Sequence, residues 1–280
     1  MESLPTPVLD DHLHLHPDGD GIEAAKTFAR AGGTHLLVVN RPSWHLVESV
    51  DDVDAFRETF EQTIELVEGS TEVLPGRAWP VLGVHPVLLP RLVADHGWSV
   101  DDAAQLMRDG LELAADLVAG GRALALKSGR PHFDVSESVL RASNDLIQHV
   151  FALAAEVDCA VQLHTEDTDD GTEFAELANE VGLEPHRVVK HYASGPVKGI
   201  TPSVIARSVA VRAVRNRGDP FMLETDFLDD PTRPGAVLGP KVVPRRSKEL
   251  AESGHHAALE VAHVETPGLV YGIDTRATLE

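Results

Sequence analysis

The sequence contains a single cysteine, Cys159, so no intrachain disulfide can staple the fold. It sits inside an apolar run, where a thiol packs as a small hydrophobe. No stretch reaches the roughly 18 consecutive apolar residues that a membrane-spanning helix requires, and the first residues lack the basic-then-apolar order of a signal peptide. A soluble, cytoplasmic protein with no membrane partner is expected. Lysine is scarce, confined to Lys26, Lys127, Lys190, Lys198, Lys241 and Lys248, and tyrosine to Tyr192 and Tyr271. No G-x-G-x-x-G or G-x-x-x-x-G-K-[ST] follows an apolar run and no G-x-S-x-G occurs, which sets aside dinucleotide, P-loop and serine-hydrolase chemistry.

Basic charge is also short: 24 Lys and Arg stand against 45 Asp and Glu, a formal net charge of -21. Such a surface repels itself at low ionic strength and is tolerable at molar salt, where the Debye length falls to about 3 Å. A salt-adapted, haloarchaeal cytoplasm is the expectation. Nucleic-acid binding rests on basic surface and weakens steeply with salt, so a small-molecule substrate is expected in its place. Oligomeric state is left open.

What the chain does have is regular alternation. Strand-like runs at Pro7–Leu9, His35–Val39, Ala78–Val84, Ala123–Lys127, Cys159–His164, Val188–His191 and Phe221–Glu224 are separated by amphipathic stretches such as Val53–Glu68, Val100–Ala119, Ser138–Val157 and Thr172–Val181. An eighth strand fits within Lys198–Val204. Strand and helix alternating throughout predict a parallel sheet with crossover helices, and eight units close a (β/α)8 TIM-type barrel. The link between strands six and seven is too short for a full helix, which predicts some distortion there. An open doubly wound sheet is the alternative. No low-complexity linker divides the chain, so residues 1–280 are read as one domain.

Ligand and acid/base types fall where these strands end. Strand one leads into DDHLH, strand three into GVHP with His85, and strand four into ALKSGRPH with Lys127. Strand five leads into QLHTED with His164, strand six into VKHYASG with His191, and the last strand into MLETD with Asp226. Alternate residues of a strand share one face, so His12 and His14 stand side by side with Leu13 turned away, an arrangement that suits a metal ion. Any one of these histidines alone is more often a hydrogen-bonded core or surface residue. Six such strand ends at one barrel mouth point to an active site.

This ordered set resembles the amidohydrolase-superfamily barrels, and among them an archaeal branch of the TatD-related metal-dependent hydrolases. DDHLH matches the family's D-x-H-x-H and GVHP its G-x-HP, while QLHTE, VKHYASG and MLETDFLDDP match the later strand ends; the likeness runs from about Val8 to Pro244. It implies that His12 and His14 bind one metal with Asp226, that His164 and His191 bind a second, and that His85 lies near the substrate. His16 falls outside the pattern and is expected at the surface or behind the ligands.

TatD-type proteins carry a glutamate at the end of strand four that bridges two metals; here the position falls on Lys127. An ammonium cannot ligate a cation and repels it. Either one metal is lost, or Lys127 is carboxylated on its amine, as the resemblance to phosphotriesterases, dihydroorotases and ureases suggests. The expected cofactors are therefore one or two divalent ions, among Zn, Mn, Ni, Co and Mg. Asp226 is the expected proton acceptor in hydrolysis of a small ester, lactone, amide or phosphoester. A TatD-type DNase or phosphodiesterase, and a metal-dependent binding protein without turnover, are the alternatives. Arg130 and His132 are weighed as substrate contacts, as are Arg233 and Lys241 in the Pro- and Gly-rich loop; Glu224 shares the face of Asp226 and is expected behind it.

Overall fold

The computed structural model describes residues 6–230 and 237–279. Nine strands make one sheet: β1 (Leu9–His14), β2 (His35–Val39), β3 (Ala78–Gly83), β4 (Ala125–Gly129), β5 (Ala160–His164), β6 (Val188–Ala193), β7 (Thr201–Ile205), β8 (Met222–Glu224) and β9 (Phe227–Leu228). All the pairings are parallel, each strand from β1 to β8 lies beside its sequence neighbours, and β9 pairs with β1. The sheet thus curls until its end meets its start, in TIM-barrel fashion. A doubly wound sheet reverses its strand order, and this one does not.

The strands are short apolar runs covered on both faces, as in the wholly buried HLLVV of β2. Outside them lie helices whose apolar residues recur at helical spacing. In Val53–Thr71 the buried Phe56, Phe60, Ile64 and Val67 make one stripe toward the sheet. Their starts are fixed by short polar caps: Asp52 accepts from the amides of Asp54 and Ala55, Ser99 from Asp102 and Ser136 from Val139. No helix among the described residues is long and apolar enough to cross a membrane.

The barrel interior is filled near its N-terminal end by Leu9, Leu37, Val81, Ala125, Val189 and Met222, and the C-terminal segment adds Val270 and Tyr271 as a plug. Cys159 is buried at the barrel wall, its thiol pushed up to about 12 by burial, so it is a packing residue.

Three features of the sheet matter for the site. β1 runs on through His14 instead of stopping at Leu9, because Leu13 packs outward among helix residues while its neighbours face the barrel. Seven residues without a helix join β6 to β7, and that ladder slips between Lys190 and Ala193. The backbone of this link is satisfied by the loop after β5, with Lys198 N donating to Asp169 O at 2.9 Å and Gly171 N to Lys198 O at 2.8 Å. Finally, the last strand is broken: β8 pairs with β7, and β9, two residues on, pairs with β1.

Glycine ends β3 and β4 for a steric reason. A methyl on Gly83 would collide with the Lys127 carbonyl, and one on Gly129 with that of His164. The strands that carry Lys127 and His164 approach their neighbours this closely only because nothing projects there.

Candidate metal centre

The expected residues converge. His14, His85, Lys127, His164, His191 and Asp226 line a cavity of about 220 Å³ at the C-terminal ends of the strands, together with Pro42, His45, Leu228 and Val237. His12 lies directly beneath, fully buried. A larger hollow of about 810 Å³ opens at the other end of β3 and β4, beside Trp79, Arg77 and Arg122, but gathers no ligand cluster.

Hydrogen bonding fixes which nitrogen of each imidazole is free. The amide hydrogens of Gln162 go to Asp11 O at 2.8 Å and Tyr271 Oη at 2.9 Å, so its oxygen is the end that faces His12 Nδ1, at 2.6 Å. That nitrogen therefore carries the proton. His14 Nδ1 donates to the Val39 carbonyl at 2.9 Å, and His191 Nδ1 to Glu224 Oε1 at 3.1 Å. Carbonyls and carboxylates only accept, which leaves the Nε2 lone pairs of all three rings unprotonated.

Two of these lone pairs, on His12 and His14, face each other at 3.2 Å, and Asp226 Oδ1 lies 3.8 and 3.7 Å from them. One ligand atom each from His12, His191 and Asp226 falls within 4.8 Å of the other two. His191 Nε2 also faces His164 Nδ1 at 3.2 Å, while His164 Nε2 meets His132 Nδ1 at 3.0 Å. Bare imidazole nitrogens and a carboxylate aimed at shared points are a donor set for a divalent cation, and each ring has the outer partner that such ligands require.

The electrostatics agree. Burial holds His12, His85, His164 and His191 well below the usual imidazole range and His14 down to about 3, so the rings stay neutral. Lys127 is buried, with Nζ 3.4 Å from His12 Nε2. Burial pulls its amine down to about 7 against the attraction of Asp226 and Glu224. Asp226 is pushed the other way, up to about 6, again by burial, with Lys127 opposing.

Asp226 is set in place by a backbone device. Its φ of 46° lies in the left-handed region, uncommon for a non-glycine residue and a mark of local strain at functional sites. Asp226 N donates to His12 O at 2.9 Å, and the residue before it is clasped by Asp10, whose oxygens accept from Thr225 N at 2.9 Å and Thr225 Oγ1 at 2.7 Å. The clasp locks the break between β8 and β9 over His12.

The remaining expected residues fall differently. His85 Nδ1 accepts from Val87 N at 3.2 Å, so its Nε2–H is available to the cavity. His132 is exposed and backs His164. Arg130 does not line the cavity: its guanidinium is held by Glu166, Glu173 and Asn144 and lies 5.0 Å over the Phe174 ring. Lys241 is exposed at the start of a helix, Arg233 lies outside the described residues, and His16 uses its amide to bind Asp229. Glu224 stands beneath His191, as its shared face with Asp226 suggested. Sequence reasoning passed over Gln162, Asp10 and His45. Gln162 carried a signal, a polar residue within an apolar strand two positions before His164 and on its face.

The family described as TatD-related DNase matches residues 9–266. A protein of Methanocaldococcus jannaschii described as uncharacterised is 35% identical over 287 residues, covering 98% of either chain. Among solved structures, a TatD homologue of Escherichia coli K12 aligns with a TM-score of 0.60 at 19% identity, over 96% of this chain and 100% of its own. A lactonase of Listeria monocytogenes aligns with a TM-score of 0.62 at 12% identity, over 95% of each chain. At these identities the structural likeness is one of fold.

Proposed function

The chain belongs to the TatD-related DNase family, and from that premise we propose that it is a metal-dependent hydrolase of a small ester, lactone, amide or phosphoester. The observation that carries this reading is the pair of bare Nε2 atoms of His12 and His14, 3.2 Å apart beneath Asp226. His12, His14 and Asp226 would hold one divalent ion, of the Zn, Mn, Ni, Co or Mg class, and His164 and His191 a second. Such ions lower the pKa of water and polarise the carbonyl or phosphoryl oxygen under attack.

Lys127 is the residue on which two ions depend. As an ammonium it opposes them. As a neutral amine, the form that burial favours, it can add carbon dioxide and lose a proton, giving a carbamate whose oxygens serve as a bridging carboxylate would. We take this carboxylated form as the resting state. Asp226 would accept the proton of the attacking water on its carboxylate, and the Nε2–H of His85, beside His164, would face the substrate.

The cavity argues for a small substrate. It has about 220 Å³ of room and an apolar side made by Pro42, Leu228 and Val237. Arg130, the cation nearest in sequence to Lys127, is engaged by Glu166 and Glu173. A chain of net charge -21 repels a polyanion, so DNA is the second reading, carried by the family's description and opposed by the charge.

The test is a hydrolase panel of lactones, esters, phosphoesters and single- and double-stranded DNA, run on metal-loaded wild type and Asp226→Asn in molar salt. Turnover of the small substrates by wild type alone supports the proposal. Cleavage confined to DNA replaces the substrate class, and equal rates in both proteins remove the assigned proton acceptor. Anomalous diffraction from crystals grown with metal and bicarbonate tests Lys127: two metal peaks joined by added density beyond Nζ are expected, and one peak beside a bare amine would overturn the carbamate.

A further inference from the structure

Tyr271 and Asp11 take no part in the chemistry above, yet both are built into the barrel interior. Tyr271 comes from the segment after the last strand, beyond residues 9–266 that match the family, and packs with Leu9, Leu37 and Val81 at the N-terminal end of the barrel. Its ring spans from that plug to the layer beneath the metal centre, where its hydroxyl accepts from Gln162 Nε2 at 2.9 Å. Asp11 is fully buried, and neither carboxylate oxygen makes a well-formed hydrogen bond; the hydroxyls of Tyr271 and Ser203 face it.

The directions of the two amide protons of Gln162 are determined. Gln162 can offer its oxygen to His12 only if both its amide hydrogens are accepted elsewhere. Asp11 O accepts one and Tyr271 Oη the other. The tyrosine accepts through a lone pair of its hydroxyl, which also faces the Asp11 carboxyl group. Were the phenol absent, one amide hydrogen would be buried without a partner, and the Asp11 carbonyl alone would hold the amide with its oxygen toward His12. A less firmly held amide would bind the Nδ1 proton of the imidazole less tightly and favour its move to Nε2, the atom that faces His14 and Asp226.

We infer that Tyr271 is a positioning residue for the metal centre, acting through Gln162 to hold His12 in the tautomer whose Nε2 is free to ligate. The inference rests on the reading of His12 as a metal ligand. It makes a residue outside the family's matched region a determinant of metal affinity, although its hydroxyl reaches the ligand only through an intervening amide.

Cobalt(II) binding to the purified full-length protein tests this, with affinity read by competition against a chromogenic chelator and ligand geometry by the visible absorption of the bound ion. Gln162→Leu is expected to weaken binding roughly 10- to 100-fold, the usual range for the outer partner of a ligating histidine. Tyr271→Phe keeps the ring in the plug and removes only the hydroxyl; it is expected to weaken binding about two- to tenfold, as for loss of one neutral hydrogen bond, and to alter the cobalt spectrum. Because the tyrosine acts through the glutamine, the double variant should bind no more weakly than Gln162→Leu. Melts of the metal-free proteins report folding, and if Gln162→Leu does not fold, Tyr271→Phe carries the test by itself. A folded Tyr271→Phe protein with wild-type affinity and spectrum overturns the inference while leaving the metal site intact. Losses that multiply in the double variant overturn the relay through Gln162. A wild type that binds no cobalt removes the metal reading and this inference with it.

Discussion

His12 Nε2 and His14 Nε2 face each other at 3.2 Å with both ring protons committed elsewhere, to Gln162 and to the Val39 carbonyl. Two lone pairs so placed repel unless a cation lies between them and Asp226. A ligand that binds only the folded state stabilises it by RT ln(1 + [L]/Kd), about 2.7 kcal/mol at one hundred times Kd. Zinc or cobalt at that level should raise Tm by roughly 5–10 °C for a chain of this size. His14→Ala should abolish the rise. An unchanged melt on adding either metal and on chelation would count against the site.

Replacing Asp226 by Asn keeps the side chain's shape and one oxygen able to ligate but removes the proposed proton acceptor. General-base assistance contributes roughly 10²–10⁴-fold. Turnover of whichever small substrate the panel identifies should fall by at least 100-fold, with bound metal still measurable by elemental analysis. Full activity in the metal-loaded variant would exclude the assigned role.

Arg130→Ala separates substrate binding from scaffolding. The guanidinium joins Glu166 and Glu173 and stacks on Phe174, so its loss should cost about 1 kcal/mol of stability and leave KM within about twofold of wild type. A tenfold rise in KM without loss of stability would return it to the substrate.

Away from the metal centre, the pH dependence of stability follows from two buried histidines. His263 accepts from Leu9 N at 3.1 Å and contacts Ser247 Oγ at 2.8 Å, and burial holds it down to about 3; His35 is held at about 4. Both folded values lie below the unfolded value near 6.5, so their contribution is fully present above pH 6.5 and is lost as pH falls toward 3–4, because only the unfolded chain takes up the protons. Each adds at most about 1.4 kcal/mol per pH unit in that window. Denaturant titrations of metal-free protein from pH 7 to 4 should give a steep slope that His263→Gln reduces by about one proton. An identical slope in the variant would refute this.

Gly83→Ala should be among the most damaging single methyl additions in the chain, because the new group meets a backbone carbonyl that cannot rotate away. A loss of several kcal/mol or failure to fold is expected, read by soluble yield and by urea unfolding. A stable protein with unchanged metal affinity would show that β3 and β4 can part at that point.

The residues that line the cavity were legible because each lies at the end of an apolar run, a local signal. His12 and His14 were recognisable from their spacing, and Lys127 from standing where the resembled family has an acid. The partners that make these residues work were not legible, because they arrive from distant strands: Gln162 reaches His12 across 150 positions, and Glu224 reaches His191 across 33. Asp10 was visible within the D-x-H-x-H motif, but its bonds to Thr225 depend on the sheet closing. The end of β1 was misplaced because charged and polar residues seldom continue a strand, and Asp10 and Asp11 do so only inside the barrel. Arg130 has the composition of an anion binder, and only the fold brings two glutamates to it.

The break between β8 and β9 places Asp226 on the seam where the barrel closes, opposite the strand that bears His12 and His14. An ion held by these three residues would act as a rivet through that seam, tying the first strand of the chain to the last. Its retention would then depend on mechanical integrity as well as on ligand chemistry. Amide exchange along β1 and β9 should slow together when the ion is loaded, while strands on the far wall keep their own rates.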